Sequence, residues 1–587
     1  MARSLPCNLL CSANLSDNPA ALDPRITGRN ISEHSNTSRC LSLANEWLKA
    51  CIENHADCSG KGVTDLPSRV IDLHPRHENS DPYLLVTRGH QGRYATLSHC
   101  WGPQHLPPLT TTMNTLERRC SGISVEELPA SFKDAFYIAK RLGIDYLWID
   151  SLCIIQDSEN DWAEQSTKMA DIYGNSFLTI AASRSSNSHA GIFSSRETFH
   201  TGYGLPYKSR FMKEEGTIYF RQQLKAYIPG EESDQAYISE LEPFVEPLLT
   251  RAWVLQERVL SPRTLNYGTT ELFWECNTLT AHESMSSIPE RFQSADMKRS
   301  FVPRYTADDL SPEVPEPAKF PSIYTRWYTV LQAYTRLHLT YESDKFSAIS
   351  GLAKEFERQT GDEYVAGMWK RDLHRGILWR PGGVDFSPLR RKFSRRRPEK
   401  WRAPSWSWAS WDGPMDPSLV MHRERMNYAR DARFINVPVM PTSASTIDGL
   451  KDGVLKLEAF YATVTLGSKG MASFKLVYMG TPLDQYGYCA ILDKETSQGQ
   501  TLNYRDEAPA ELGEEYICVQ IGLWNLWHHK SSKAYRSEDD TLYCLLLSIS
   551  GDGSTYVREG VAYLISSKVH VTTDPTIKWM RKEIAID

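Results

Sequence analysis

The chain has 587 residues, 41% apolar and 24% charged, with a formal net charge of −6, a balance that describes an ordinary globular protein and excludes a global electrostatic bias toward nucleic acid or anionic membrane. No run approaches the ~20 apolar residues of a membrane span, and the opening MARSLPCNLLCSANLSD lacks the continuous apolar core of a signal peptide. Twelve cysteines at irregular spacings, several in strand-like runs (Cys489, Cys518, Cys544), read as free thiols in a reducing, cytoplasmic compartment, with no membrane and no specific nucleic acid expected among the partners.

Residues 1–38 are rich in Asn, Ser, Pro and Arg without periodicity and read as a flexible N-terminal arm, with order beginning near Cys40. Residues 39–89 lead into the core. In CLSLANEWLKACIENHADC, Leu43, Trp47, Leu48, Cys51 and Ile52 share one helical face, and Cys51, His55 and Cys58 fall at helix-like spacings. Two thiols and an imidazole can begin a zinc site, but no fourth ligand lies nearby in sequence, so a packed amphipathic helix is the reading adopted and no metal is assigned. Leu66–Leu73 and Tyr83–Thr87 read as short strands.

Residues 90–280 carry the core. RYATLSHCWG reads as a strand ending at Ser98 to Gly102. SFKDAFYIAKRLG puts Phe132, Ala135, Phe136, Ala139 and Leu142 at helical spacing, with Ser131 and Asp134 as a capping pair and Gly143 as the stop. GIDYLWID is a short buried strand ending on Asp150; DWAEQSTKMADIYGNS is a helix and SFLTIAAS a further strand. Strand and helix in alternation predict an α/β core with a mainly parallel sheet, Ser98, Asp150 and Ser183 at one edge, and ligand binding outside the strands' carboxyl ends. The Pro- and Thr-rich connection from Pro103 to Ser124 should lie beside the Ser98 to Gly102 turn.

Residues 281–413 read as a helical extension, with helices at Tyr324–Leu337 and Phe346–Arg358 and a Pro-rich surface insert from Asp296 to Pro321. The basic run Arg390 to Arg402 reads as a solvated linker, the alternative being nuclear import or an acidic partner. PSWSWASW, Pro404 to Trp411, reads as an aromatic seam between lobes. Residues 414–587 carry short β-type runs separated by Gly, Asp and Ser, which predicts a C-terminal β-rich lobe of mostly antiparallel sheet serving as scaffold or partner contact.

Two chemistries compete for the core. His99, Cys100 and Asp150 supply base, nucleophile and orienter at adjoining strand ends, the inventory of a thiol-dependent acyl transfer or hydrolysis, for example in secondary metabolism. Neighbours in an extended chain point to opposite sides, so structural packing of Cys100 has equal weight, and Cys153 inside LCII reads as buried. Ser98, Trp101, Ser151 and Arg184 are candidate substrate contacts at the same edge. Arg251, Gln256 and Glu257 could line a phosphate-bearing ligand, the alternative being an internal ion-pair network.

The blocks YATLSHCWG, LPASFKDAFYIAKRLGIDYLWIDSLCIIQD, DWAEQSTKMADIYGNSFLTIAAS and RAWVLQERVLSPRTLNYGTTELFWEC, in that order over about residues 90–280, resemble the fungal heterokaryon incompatibility (HET) domain family. Downstream, DKFSAISGLA, YVAGMWKRDLHRGILW and RAPSWSWASWDG resemble segments that accompany it in long members. The resemblance implies non-self recognition and programmed cell death after fusion of unlike cells, with a protein partner or small-molecule ligand and the option of a homo-oligomer. It also implies a core distantly similar to Toll/interleukin-receptor-like (TIR) domains, hence a TIR/flavodoxin-like sheet. If activity follows, NAD is the substrate, with a carboxylate on the helix after the Asp150 strand: Asp161 or Glu164 here. Related sequences carry that acid one place later, where this chain has Gln165, a step that turns a helical side chain by ~100°.

Overall fold

The computed structural model describes residues 9–12, 28–58, 62–74, 81–196, 203–208, 215–222, 226–227, 244–285, 298, 323–382, 396–416, 427–430, 432–441, 449–470, 473–478, 481–482, 489–492, 515–525, 540–566 and 580–587. The chain divides into two units, Met1–Pro303 and Arg304–Asp587. Most of the predicted arm, the insert from Asp296 to Pro321 apart from Lys298, and the basic run up to residue 395 lie outside the described residues.

In the first unit the main sheet is built from β1 (Arg69–Asp72), β2 (Tyr83–Val86), β3 (Tyr94–Ser98), β4 (Tyr146–Trp148), β5 (Leu178–Ala181), β6 (Arg263–Tyr267), β7 (Leu272–Cys276) and β8 (Thr280–His282), in the spatial order β8-β7-β6-β5-β3-β4-β1-β2. The four central strands β6, β5, β3 and β4 are parallel, whereas β1, β2, β7 and β8 join through antiparallel pairings. The sheet is therefore mixed, with three parallel pairings and four antiparallel ones, and the expectation of a mainly parallel, TIR/flavodoxin-like sheet is corrected at both margins. At the β6-β7-β8 margin the reason is connection length. A parallel return needs a crossover of about a dozen residues or more, which the connections between β3, β4, β5 and β6 supply; those within β6-β7-β8 are too short for anything but hairpins.

Five helices of this unit matter for the site: α1 (Ser38–Asn54), α2 (Ala130–Arg141), α3 (Asp150–Cys153), α4 (Glu159–Gly174) and α5 (Ala252–Leu260). α1 is capped by the Thr37 hydroxyl, which accepts from the Cys40 N–H at 3.3 Å. It buries Cys40, Leu41, Ala44, Leu48 and Cys51, a face rotated from the predicted one, and Ile52 is exposed. Packing begins before Cys40, since Ile31, Ser32 and Ser35 are buried. The buried Glu283 carboxylate demands donors, and the Ser32 N–H, at 2.6 Å, and Arg196, at 2.7 Å, provide them. α2 ends at Gly143, whose φ of 69° is the left-handed conformation the stop requires. Its start differs from prediction: Asp134 caps nothing on α2 but accepts the Ile192 and Phe193 N–H groups.

The second unit holds α6 (Ile323–Tyr334) and α7 (Ser350–Thr360), close to the two predicted helices, and a β-rich lobe. In that lobe β9 (Leu455–Gly470), β10 (Glu515–Asn525), β11 (Asp540–Ile549), β12 (Tyr556–Ser566) and β13 (Met580–Ile586) pair in a closed ring, β9-β10-β11-β12-β13 and back to β9. All the ring's pairings but β12 with β13 are antiparallel, and closure leaves a barrel-like lobe. The tryptophan-rich run lies between helices and barrel within this unit. Trp408 Nε1 donates to Gly367 O at 2.8 Å, Trp379 Nε1 donates to Trp406 O at 2.9 Å, and the β12 residue Arg558 lies 3.8 Å over the Trp379 ring. An open groove in this unit is lined by Lys370, Arg371, His374, Phe434 and Asn436.

Candidate functional site

The parallel strands bring their carboxyl ends to one edge of the sheet, with β3 Ser98 opposite β5 Ala181, β5 Ala181 opposite β6 Asn266, and β3 Thr96 opposite β4 Trp148. Ser98, Asp150 and Ser183 therefore lie along that edge. Side chains alternate along β3, so Tyr94, Thr96 and Ser98 face one side and Ala95, Leu97 and His99 the other. The first side meets α4 and α5: Tyr94 OH donates to Ile172 O at 2.6 Å and Ser98 Oγ donates to Glu257 Oε2 at 2.5 Å, while Thr96 Oγ1 lies 2.6 Å from Thr179 Oγ1 on the neighbouring β5. Tyr173 of α4 also hydrogen-bonds Glu257.

Burial is the largest influence on Glu257. It pushes the carboxyl pKa up to about 7; the charge of Asp150 acts in the same direction, while the Ser98 and Tyr173 hydroxyls and Arg251 oppose it. Burial likewise raises Tyr173 well above a free phenol, with Glu257 and Asp150 reinforcing the rise. Asp150 is the opening of this cluster, its side chain 26% exposed. Its Oδ2 accepts from Trp101 Nε1 at 2.7 Å and its Oδ1 from the Ser151 N–H at 2.7 Å. The Pro103 to Ser124 connection, expected beside the Ser98 to Gly102 turn, is held to α3, with the Thr111 N–H donating to Ser151 O at 3.0 Å and Thr111 Oγ1 to Leu152 O at 2.7 Å.

His99 and Cys100 diverge as neighbours on an extended chain must. The His99 ring stands edge-on to Phe132 of α2 with centroids 5.1 Å apart, and Cys100 packs with Leu248, Leu249 and Val254 on the α5 side. His99 Nδ1 lies 3.9 Å from Asp150 Oδ1, and its Nε2 is buried with no hydrogen-bond partner among the described residues. Burial lowers the His99 pKa, which keeps the imidazole neutral, and burial raises the Cys100 thiol against the pull of the Arg251 guanidinium that hydrogen-bonds it.

The remaining candidates divide. Arg251, at the N-cap of α5, acts electrostatically on His99, Cys100, Tyr173 and Glu257 and belongs to the cluster. Gln256 is buried beside Glu257 on α5. Ser151 is buried with its hydroxyl unpartnered among the described residues. Arg184 is not brought to the cluster; it donates to the Gly191 and Phe193 carbonyls at 3.5 and 3.4 Å. Glu164 is not either, since its side chain is 58% exposed and pairs with Lys168 at 2.6 Å. Asp161 is tied to Arg69, and Gln165 is buried with Nε2 3.4 Å from Ser68 Oγ. Tyr173 is the member sequence reasoning missed; its only signal was a tyrosine in the last turn of an α4 otherwise read for its acids.

Residues 94–257 match the family model for heterokaryon incompatibility protein (HET). They are a HET domain. The HET domain begins on β3 and ends on Glu257, so it contains Ser98, Asp150, Tyr173, Arg251 and Glu257 together, while β1, β2 and β6 to β8 lie outside it. No curated protein and no solved structure matches the chain.

Proposed function

We propose that the chain acts in non-self recognition and programmed cell death through its HET domain, and that the cluster at the sheet's carboxyl edge is a catalytic site cleaving the nicotinamide–ribose bond of NAD. The observation that carries the chemistry is the buried Glu257 carboxyl with a pKa near 7 beside the charge of Asp150. In the reaction the glycosidic C–N bond breaks with its electron pair passing to nicotinamide. Asp150, the part of the cluster that solvent reaches, faces the positive charge developing on the ribose. Water adds to the anomeric carbon and its proton passes to Glu257, whose pKa near the working pH suits a general base. Arg251 offers a positive charge to the pyrophosphate. The TIR-like character of the core is part of this reading and is supported by the four parallel strands at its centre.

The thiol alternative has the Arg251–Cys100 contact in its favour, but His99 and Cys100 lie on opposite faces and burial holds the thiol protonated. Purified full chain incubated with NAD should release nicotinamide, with Glu257→Gln slowing release by on the order of 100-fold and Cys100→Ser leaving it within a few-fold. Expression in a fungal host should arrest growth, and Glu257→Gln should relieve the arrest. No NAD loss and no growth arrest would reject the reading; loss of turnover only in Cys100→Ser would replace it with the thiol mechanism.

A further inference from the structure

At the opposite edge of the same sheet stands a second cluster of a different chemistry. Cys51 lies in the last turn of α1, His55 is the residue that caps it, and Cys58 closes the short 3-10 turn Ala56–Cys58. Cys276 is the last residue of β7 and pairs with Arg263, the first residue of β6. Because β6 runs parallel to β3, β4 and β5, Cys276 sits at the amino edge of the parallel strands, away from Ser98 and Asp150. The three sulfurs and one imidazole nitrogen all lie within 4.8 Å of one another, and His55 Nδ1 is 3.4 Å from Cys276 Sγ.

We infer that these four residues form a closed zinc site that clamps α1 to β7. A tetrahedron with ~2.3 Å metal–sulfur bonds has ligand-to-ligand edges of about 3.8 Å, so the observed separations need only a small contraction. Three thiolates and one imidazole favour zinc over harder cations. The three cysteines are buried and none is in a disulfide. Four protein ligands leave no open position, so the ion is structural and takes no substrate.

The surroundings fit a thiolate-rich ion. The Leu279 N–H points at Cys276 Sγ at 3.4 Å, Thr278 Oγ1 lies 3.6 Å from Cys58 Sγ, and Arg263, whose guanidinium donates to the Cys58 carbonyl, brings a positive charge beside three negative sulfurs. The ligands also straddle the HET domain: Cys51, His55 and Cys58 precede residue 94 and Cys276 follows residue 257. With His55 and Cys276 separated by 221 positions, one ion closes a long loop and ties together the two flanks that the domain itself does not contain.

The test is the metal content of the full chain purified under reducing conditions. One zinc per chain is expected, and cobalt in its place should give the visible bands of a tetrahedral ion and near-ultraviolet thiolate charge transfer. Cys276→Ser should weaken zinc binding by at least the about 10- to 100-fold that loss of an outer-shell partner costs, while Cys153→Ser keeps one zinc. Should Cys276→Ser fail to fold, His55→Cys decides: it should keep the metal and strengthen the cobalt–thiolate band. The inference is overturned by a reduced wild-type chain that neither carries nor takes up zinc, by an iron–sulfur chromophore in its place, or by a cobalt spectrum that His55→Cys leaves unchanged.

Discussion

The two edges of the first unit's sheet carry opposite chemistry. The carboxyl edge gathers hydroxyls and carboxyls, Ser98, Tyr173, Asp150 and Glu257, with one side reaching solvent. The amino edge gathers three buried sulfurs and an imidazole. An oxygen-rich, partly open cluster with a carboxyl near neutrality suits a reaction, whereas a closed set of soft ligands suits a fastening. The same contrast recurs between two buried glutamates. Glu275 on β7 has Arg258 on it at 2.9 to 3.0 Å, and that cation overcomes burial and lowers its pKa; Glu257 has mainly hydroxyls, and burial wins.

The strongest way to break the comparison is to strip the amino edge. A tight chelator with reductant should lower the full chain's melting temperature by about 10 °C or more, with hydrogen exchange rising in α1 and β7; unchanged melting would leave the fastening role without support. Next, Glu275→Gln should destabilise by about 3–5 kcal/mol at neutral pH, because it removes the carboxylate charge that faces the buried Arg258 guanidinium. A folded pKa below the unfolded one gives stability present above about 4.5 and lost as pH falls through the folded value, so the cost of Glu275→Gln should shrink in acid denaturation series.

Glu257→Gln should act in the reverse sense. Its folded pKa of about 7 lies above the unfolded value, so wild-type stability is fully present below about 4.5 and declines as pH rises through about 7. The variant, which cannot ionise, should gain on wild type by on the order of 3 kcal/mol at most at pH 8 and by little at pH 5, read by urea denaturation at both. A gap independent of pH would mean that Glu257 is not the group titrating. Smallest of all, Glu164→Ala should change stability by no more than about 0.5 kcal/mol and leave NAD release intact, since its pair with Lys168 is exposed.

Sequence by itself determined the local elements, because period and punctuation act over a few residues. Phe132, Ala135 and Phe136 set the buried face of α2, Gly143 ended it, and the run into Asp150 gave a strand stopping at the sheet's carboxyl edge. The blocks that resembled the HET family were equally legible, being contiguous. Only the tertiary structure decided which of those residues meet. Glu257 reaches Ser98 across 159 positions and Tyr173 joins them from a helix chosen for its acids, while Glu164, one helical face away, turns to solvent. The antiparallel β7–β8 margin escaped the reading because β6 to β8 were not taken as hairpins, and strand β7 delivers Cys276 to Cys51, His55 and Cys58. A ligand set divided between residues 51 to 58 and 276 has no spacing that a local pattern could register; packing of α1 against the sheet brings it together.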